Sequence, residues 1–266
     1  MVRTAIQLFT LKDLDELTWE LVSRVGQTSF DGVEMYKADF DAFEADDGIE
    51  RTKQALTTGS LEVCSAHARA ETIEEEFDDI VAACEAVGIS RLVIPTYDGA
   101  AFETLEGIET AADRLGAIAD SLAEYDIDLL YHNHTFEFGT VTGEDGPEVA
   151  FEVFVDRADG RFGFQPDVGL ATHAGYDALK LLDVVSGQAP LVHLTDTVPD
   201  DDYLLHADVG TGAVDVDACA ERAVKNGAEW LICENGRTDD AVASLEHGSK
   251  AFAELRSRVG DLSDSQ

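Results

Sequence analysis

Short apolar runs recur along this chain, and most are followed by an amphipathic stretch of helical period. Eight runs read as strands: Thr4 to Leu8, Gly32 to Met35, Leu61 to Ala66, Arg91 to Pro95, Asp128 to His132, Phe162 to Pro166, Leu191 to Leu194 and Trp230 to Cys233. Between them, Ile73, Phe77, Ile80, Val81, Cys84 and Val87 fall on one helical face with acids on the other, predicting a helix over Ile73 to Val87. The same period marks Leu105 to Tyr125, Asp177 to Val185, Ala213 to Asn226 and Asp239 to Arg258, and Gly88, Gly187 and Gly227 stand where left-handed caps stop helices. Strand and helix in alternation imply parallel pairing with right-handed crossovers. Eight units in about 250 residues favour a closed (β/α)8 TIM barrel over an open sheet. No G-x-G-x-x-G follows the first strand, which weighs against a Rossmann domain. The reading is one α/β domain over residues 1–258, with a disordered tail over 259–266. The fifth unit is less regular: Gly139, Gly143 and Gly146 predict a loop over the site and a short helix near Glu148 to Asp156.

Composition narrows the class. Of 266 residues 45% are hydrophobic and five are proline, so the chain is globular despite 55 acids against 18 bases and a net charge of −37. Self-repulsion on that scale is screened at molar salt, where the Debye length falls to about 3 Å, so the surface reads as halophilic. It also excludes the basic stripe that nucleic acid requires. Cys64, Cys84, Cys219 and Cys233 form no close pair and read as buried thiols of a reducing compartment. The opening MVRTAIQLFT is too short in apolar residues for a signal or a membrane span, which predicts a cytoplasmic, soluble protein with no membrane partner.

The chemistry lies where the strands end. Six of seven histidines, His67, His132, His134, His173, His193 and His206, fall at or just after strand ends, and only His247 sits on a helix. Any one of them alone reads as a hydrogen-bonded structural histidine; six on one rim point to a site. Asp167, His193 and Glu234 end strands six, seven and eight. Carboxylates with one imidazole suit a divalent Mn, Mg, Co or Zn ion with positions left open for substrate oxygens. Directly after Trp-Leu-Ile-Cys, an unpaired Glu234 would be costly to bury, so a metal or cationic partner explains it better than an exposed acid. A fourth ligand belongs to strand five: Glu137, favoured because a further carboxylate balances the metal charge, or His132 or His134, which project to the same side by period two. Glu34, His67, His134 and His173, with Arg237 just beyond Glu234, are candidate substrate contacts. Val209-Gly210-Thr211-Gly212 could cradle a phosphate on backbone N–H groups, with Arg237 or Arg69 as the cation. A tight strand-to-helix turn with Asp215 as cap is the simpler reading.

These motifs together resemble the xylose isomerase-like barrel superfamily. The resemblance spans residues 3 to 258 and rests on Phe30-Asp31-Gly32-Val33-Glu34, Tyr131 to Phe138 (YHNHTFEF), Asp167 with Ala174-Gly175, Val192-His193-Leu194-Thr195-Asp196, Val209 to Asp215, and Ile232-Cys233-Glu234. It implies one divalent ion held by Glu137 or His132, Asp167, His193 and Glu234, and a sugar isomerase or epimerase working through an enediolate on a small ketose, polyol or keto-sugar. Glu234, His132 and Glu137 are then the acid/base candidates. Two positions depart from the superfamily's pattern. His132 stands where many epimerases carry glutamate, and Thr195 where a lysine commonly precedes the aspartate. The same intermediate serves an inosose dehydratase-like C–O lyase. A non-catalytic sugar-binding barrel and an endonuclease IV-like nuclease are the readings of other classes; the latter lacks a second aspartate–histidine pair and a basic groove. Barrels of this kind often pair, so a homo-oligomer is possible.

Overall fold

The computed structural model describes residues 2–45, 47–143, 146–199 and 201–263. The first half of the chain runs β1 (Arg3–Gln7), α1 (Thr18–Val25), β2 (Gly32–Tyr36), α2 (Lys37–Asp41), α3 (Gly48–Gly59), β3 (Glu62–His67), α4 (Ala70–Glu75), α5 (Phe77–Val87), β4 (Arg91–Ile94) and α6 (Leu105–Ala123). It continues through β5 (Asp128–His132), a hairpin of β6 (Thr140–Thr142) and β7 (Pro147–Val149), α7 (Ala150–Ala158), β8 (Gly163–Gln165), α8 (Val168–His173), α9 (Ala178–Val184), β9 (Leu191–His193), α10 (Val216–Lys225), β10 (Trp230–Cys233) and α11 (Ala241–Ser263).

Eight parallel strands pair in the order β8-β5-β4-β3-β2-β1-β10-β9. The seam between the end strands is drawn together by a parallel bridge of Asp167 with His193, whose N–H reaches the Pro166 carbonyl at 2.9 Å, leaving a nearly closed single-domain (β/α)8 barrel. All eight sequence-predicted strands are present, each within a residue or so of its expected bounds.

The strand sequences explain the two layers. Residues facing outward, such as Ile6, Val33, Leu92 and Tyr131, join the helix-facing core, while Ala5, Cys64, Val93, Leu130, Leu191, Trp230 and Ile232 fill the barrel interior. Trp230 is the largest of these. Its ring leaves no room for a Cβ on Gly32, which would sit 2.8 Å from it, and Arg3 stacks over its other side at 4.0 Å. Trp230 thus fills the bottom of the barrel, and the larger cavity opens at the strand C-termini.

Three local departures have physical causes. The helix expected over Ile73 to Val87 breaks at Glu76 (φ −120, ψ 31) into α4 and α5. Acids crowd that stretch, and the break lets Glu71 and Glu74 meet Arg114 at 2.8 and 2.6 Å while Glu76 meets Lys37 at 3.2 Å. In the glycine-rich fifth unit a one-turn helix (Phe136–Phe138) leads into the β6–β7 hairpin rather than an irregular loop. Gly146 supplies the positive φ of 134 that the hairpin turn needs, and its carbonyl accepts the Gly143 N–H at 2.8 Å. Finally, α11 extends to Ser263, past the Arg258 at which the sequence ends the barrel; residues 264–266 of the expected tail lie outside the described residues. All four cysteines are buried and unpaired, and no described helix is long and apolar enough to cross a membrane.

Candidate active site

The C-terminal ends of all eight strands surround a cavity of about 730 Å³. His67, His132, His134, His206 and Glu234 line it, with Arg237 exposed at its mouth; behind Glu234 lie Glu34, Asp167 and His193, each wholly buried. Backbone geometry brings them there: apart from Glu34 inside β2 and His206, which the Asp196–Ala207 bridge returns to the rim, each ends a parallel strand or follows one within four residues.

His193 is the hub. Its Nε2 donates to Glu34 Oε2 at 2.6 Å, which turns Nδ1 toward Glu234 Oε2 at 3.1 Å and Asp167 Oδ2 at 3.8 Å. With Nε2 protonated, a neutral ring would aim the Nδ1 lone pair at two carboxylates, so that spot requires a positive charge, either a proton or a metal ion. In the bare protein the proton takes it: burial opposes the charge, but Glu34 and Glu234 outweigh burial and lift the His193 pKa to about 10. Burial likewise pushes Glu234 up, yet the hydrogen bond and positive charge of His193 hold it at about 2.

Asp167 is oriented for the same spot. Its Oδ1 accepts from the Leu170 N–H at 2.7 Å and the Thr195 hydroxyl at 2.5 Å, while Oδ2 is buried with no hydrogen-bond partner. Thr195 thus anchors the aspartate from the position where the superfamily commonly has lysine, and it accepts the Gly169 N–H at 3.0 Å. Asn133 ties the next loop to this point, accepting from Asp167 N at 2.9 Å and donating to its carbonyl at 3.2 Å. An orphaned buried carboxylate oxygen beside an imidazole nitrogen and a second carboxylate fits a divalent ion. Ligand atoms of Asp167, His193 and Glu234 lie within 4.8 Å of one another. A second grouping, His67, His132 and His193, is equally compact but chemically poorer. Gln165 Oε1 accepts from His67 Nε2 at 2.8 Å and His132 Nδ1 at 3.1 Å, so those nitrogens carry protons.

Glu34 organises that second grouping. Its carboxylate accepts from Gln7 Nε2 (2.8 Å), Ser65 Oγ (2.5 Å), Gln165 Nε2 and both His193 and His67. Burial raises its pKa, but the two imidazoles win and hold it well below the usual carboxylate range. Burial and the neighbouring histidines keep His132 neutral, and burial lowers His134 to about 4.

Not every predicted residue joins the cluster. Glu137, favoured from sequence as the strand-five ligand and as an acid/base group, folds back instead: it accepts the His134 N–H at 2.9 Å and the Tyr131 hydroxyl at 2.7 Å, and burial lifts it to about 7. The tight turn after β5 sets this, because three residues on, the side chain reaches its own loop's amide more readily than the cavity. His173, at the end of α8, bonds Thr197 Oγ1 at 2.9 Å and does not line the cavity. The glycine loop holds no free phosphate cradle: Asp196 accepts the N–H groups of Thr197, Gly210, Gly212 and Val214 at 2.8–3.0 Å, and Asp215 caps α10 through the Ala218 N–H.

Two participants had no role assigned from sequence. Gln165 ends an apolar run just before Pro166 and shares parity with Asp167, a signal passed over because an amide is neither acid nor ligand. His206 was one of the rim histidines; its Nδ1 accepts the Gly236 N–H at 3.1 Å, so the proton of the neutral ring sits on Nε2, which is buried without a partner.

The model of the xylose isomerase-like TIM barrel family matches residues 19–255. The chain belongs to this family. Among solved structures this xylose isomerase-like barrel is similar to a sugar phosphate isomerase/epimerase from Parabacteroides distasonis ATCC 8503 (15% identity, TM-score 0.73, covering 95% of this chain and 94% of that one). It is also similar to the probable 3-DHS dehydratase AsbF of petrobactin synthesis from Bacillus anthracis (10% identity, TM-score 0.77, 95% and 99% covered). A third is the IOLI protein, described with a binding zinc atom (15% identity, TM-score 0.73, 97% and 99% covered). At these identities the likeness is one of fold. No curated protein matches by sequence.

Proposed function

We propose that this xylose isomerase-like barrel is a divalent-metal-dependent sugar isomerase or epimerase, acting on a small ketose, polyol or keto-sugar. One observation carries the reading: the buried, unpartnered Asp167 Oδ2 facing His193 Nδ1 and Glu234, a spot that demands positive charge. Asp167, His193 and Glu234 would hold the ion, and an ion there supplies Lewis-acid polarisation of a substrate carbonyl. Zinc in the IOLI structure makes such an ion reasonable for this fold.

The chain's own groups divide the remaining work. Glu234, ionised and facing the cavity, takes a carbon-bound proton next to the carbonyl. Neutral His132 and His134 face the same cavity and can hydrogen-bond the substrate's hydroxyls or return the proton. His206 Nε2–H is a donor for a further substrate oxygen. Gln165 and Glu34 fix the ring planes and do not touch the substrate.

The test belongs in molar salt, given the charge of −37. Metal content is measured on the protein and on an Asp167→Ala/His193→Ala variant, and a ketose panel is scanned for deuterium uptake from heavy water at the carbon beside the carbonyl. About one ion per chain, lost in the variant, with exchange that falls roughly 10²–10⁴-fold in Glu234→Gln, is expected. No retained ion after reloading with Mn, Mg, Co or Zn, or exchange unchanged in Glu234→Gln, refutes the reading. Loss of water in place of a returned proton would assign a lyase instead.

A further inference from the structure

Charge around the cavity runs opposite to charge in the chain. The sequence has three acids for every base, yet the described lining holds four bases, Lys12, Lys37, Arg69 and Arg237, and one acid, Glu234, which is committed to His193. The bases are not scattered around the rim. Arg237 follows β10, Lys12 follows β1, Lys37 follows β2 and Arg69 follows β3, and these four strands are consecutive neighbours in the sheet. The opposite arc, after β4, β5, β8 and β9, lines the cavity with Pro95, Thr96, imidazoles and leucines.

The two lysines are partly engaged: Lys12 Nζ donates to the Gly236 carbonyl at 2.9 Å beside Asp13, and Lys37 meets Asp41 and Glu76. The two arginines are not. Among the described residues eight of the ten other arginines find carboxylates, as Arg3 does with Glu62, Arg91 with Glu229 and Arg256 with Asp31, whereas Arg51, over the Trp19 ring, and Arg157 do not. Arg69 and Arg237 meet none among the described residues, although exposed guanidinium groups in a chain with 55 acids have ample choice. Nor can an anion settle on the glycine loop, whose amides Asp196 already fills.

We propose that the substrate is anionic, and that its phosphate or carboxylate is seated against the β10-β1-β2-β3 arc by Arg69 and Arg237. This rests on the sugar reading of the same cavity. Guanidinium forks match both oxyanions, and a local cationic arc offsets the long-range repulsion that a strongly negative protein exerts on an anion. The sugar then spans from the arc at the mouth to the Asp167–His193–Glu234 spot below, with the imidazole arc beside its hydroxyls.

Calorimetry at fixed ionic strength with inorganic phosphate and with malonate tests the site without needing turnover. The protein and an Arg69→Gln/Arg237→Gln variant are compared, with metal content and melting temperature measured on both. At least one anion is expected to bind in the millimolar range and to weaken about tenfold or more in the variant, whose metal content and melting temperature stay as they were. Preference for phosphate assigns a phosphorylated sugar, and preference for malonate a sugar acid. Binding of neither anion, or equal binding by the variant, overturns the proposal. Anion binding lost in the variant from a protein that never retains metal would leave the arc standing and sink the metal-dependent reading instead.

Discussion

The two ends of this barrel are built from the same strands and treat charge in opposite ways. At the N-terminal end, charges sit at the surface and are matched: Arg3 with Glu62 at 2.5 Å, Arg91 with Glu229 at 2.8 Å, and Asp31 with both Arg256 and the Thr4 N–H. At the C-terminal end, Glu34, Asp167 and His193 are wholly buried. Of the four buried side-chain polar atoms left without a hydrogen-bond partner among the described residues, three, Asp167 Oδ2, His134 Nδ1 and His206 Nε2, lie there. Unsatisfied buried groups destabilise a fold, so an end that concentrates them is shaped for something other than stability. The matched charges lie at the end that parallel barrels use for stability, and the unmatched groups lie at the end where such barrels build their sites.

Removing the carboxylate that organises the open end should have the largest effect on stability. Glu34→Ala strips the acceptor from His193, His67, Gln7, Ser65 and Gln165 at once, leaving buried donors unpaired, and is expected to cost roughly 3–5 kcal/mol in denaturant unfolding. Glu34→Gln keeps the volume and should cost less, while weakening metal retention about 10–100-fold because His193 loses its anionic partner. A loss below about 1 kcal/mol in the alanine variant would mean that Glu34 does not hold this network together.

How far the sequence could be read differs between the barrel and its mouth. Strands were legible because each buried run is bounded by turn or helix signals, and Gly88 and Gly227 do stop their helices with φ of 79 and 101, whereas α9 ends at a Val185 cap two residues before Gly187. Asp167, His193 and Glu234 were legible for a related reason: a strand fixes the direction of the side chains at its end and for a residue or two beyond, whereas Glu34, read from sequence as a substrate contact, sits inside β2 and is buried behind Glu234. Farther from the strand that rule lapses. Glu137 lies five residues beyond β5, and only the turn decides whether its carboxylate faces the cavity or its own backbone. His173 sits a helix away from its strand and points to Thr197. Arg237 and Arg69 were legible as cations near the site, but the arc they form with Lys12 and Lys37 was not, for another reason. The four are far apart in sequence, and only the strand order β3-β2-β1-β10 sets them along one side of the rim.

Asp39 gives a smaller and pH-dependent test, since it is a buried acid near the open end that is fully hydrogen-bonded. It accepts from the Tyr36 N–H and the Thr18 hydroxyl at 2.9 Å each, but burial still lifts its pKa from 3.8 to about 6. The folded chain therefore holds this proton more tightly than the unfolded one. The associated stability is fully present below about pH 4 and is lost as pH rises through about 6. Asp39→Asn should remove that slope, so the variant gains on the parent by on the order of 2–3 kcal/mol between pH 4 and 7. The quantity to follow is the difference between the two proteins' unfolding curves, because many surface acids titrate in both. A difference that stays flat with pH would show that Asp39 ionises without penalty.

The matched end should yield the smallest effect, and for that reason it closes the comparison. Arg91 and Glu229 touch at 2.8 Å, but the glutamate side chain is 49% exposed. Attraction across water is weak, and two long side chains lose freedom to make it, so Arg91→Ala is expected to cost about 0.2–1 kcal/mol, and less at high salt. Metal content and deuterium exchange should not change, because the barrel interior separates this pair from the cavity. If Arg91→Ala instead lowered exchange as much as a change at the open rim, the two ends would be coupled through the strands, and the division between a structural face and a functional face would fail.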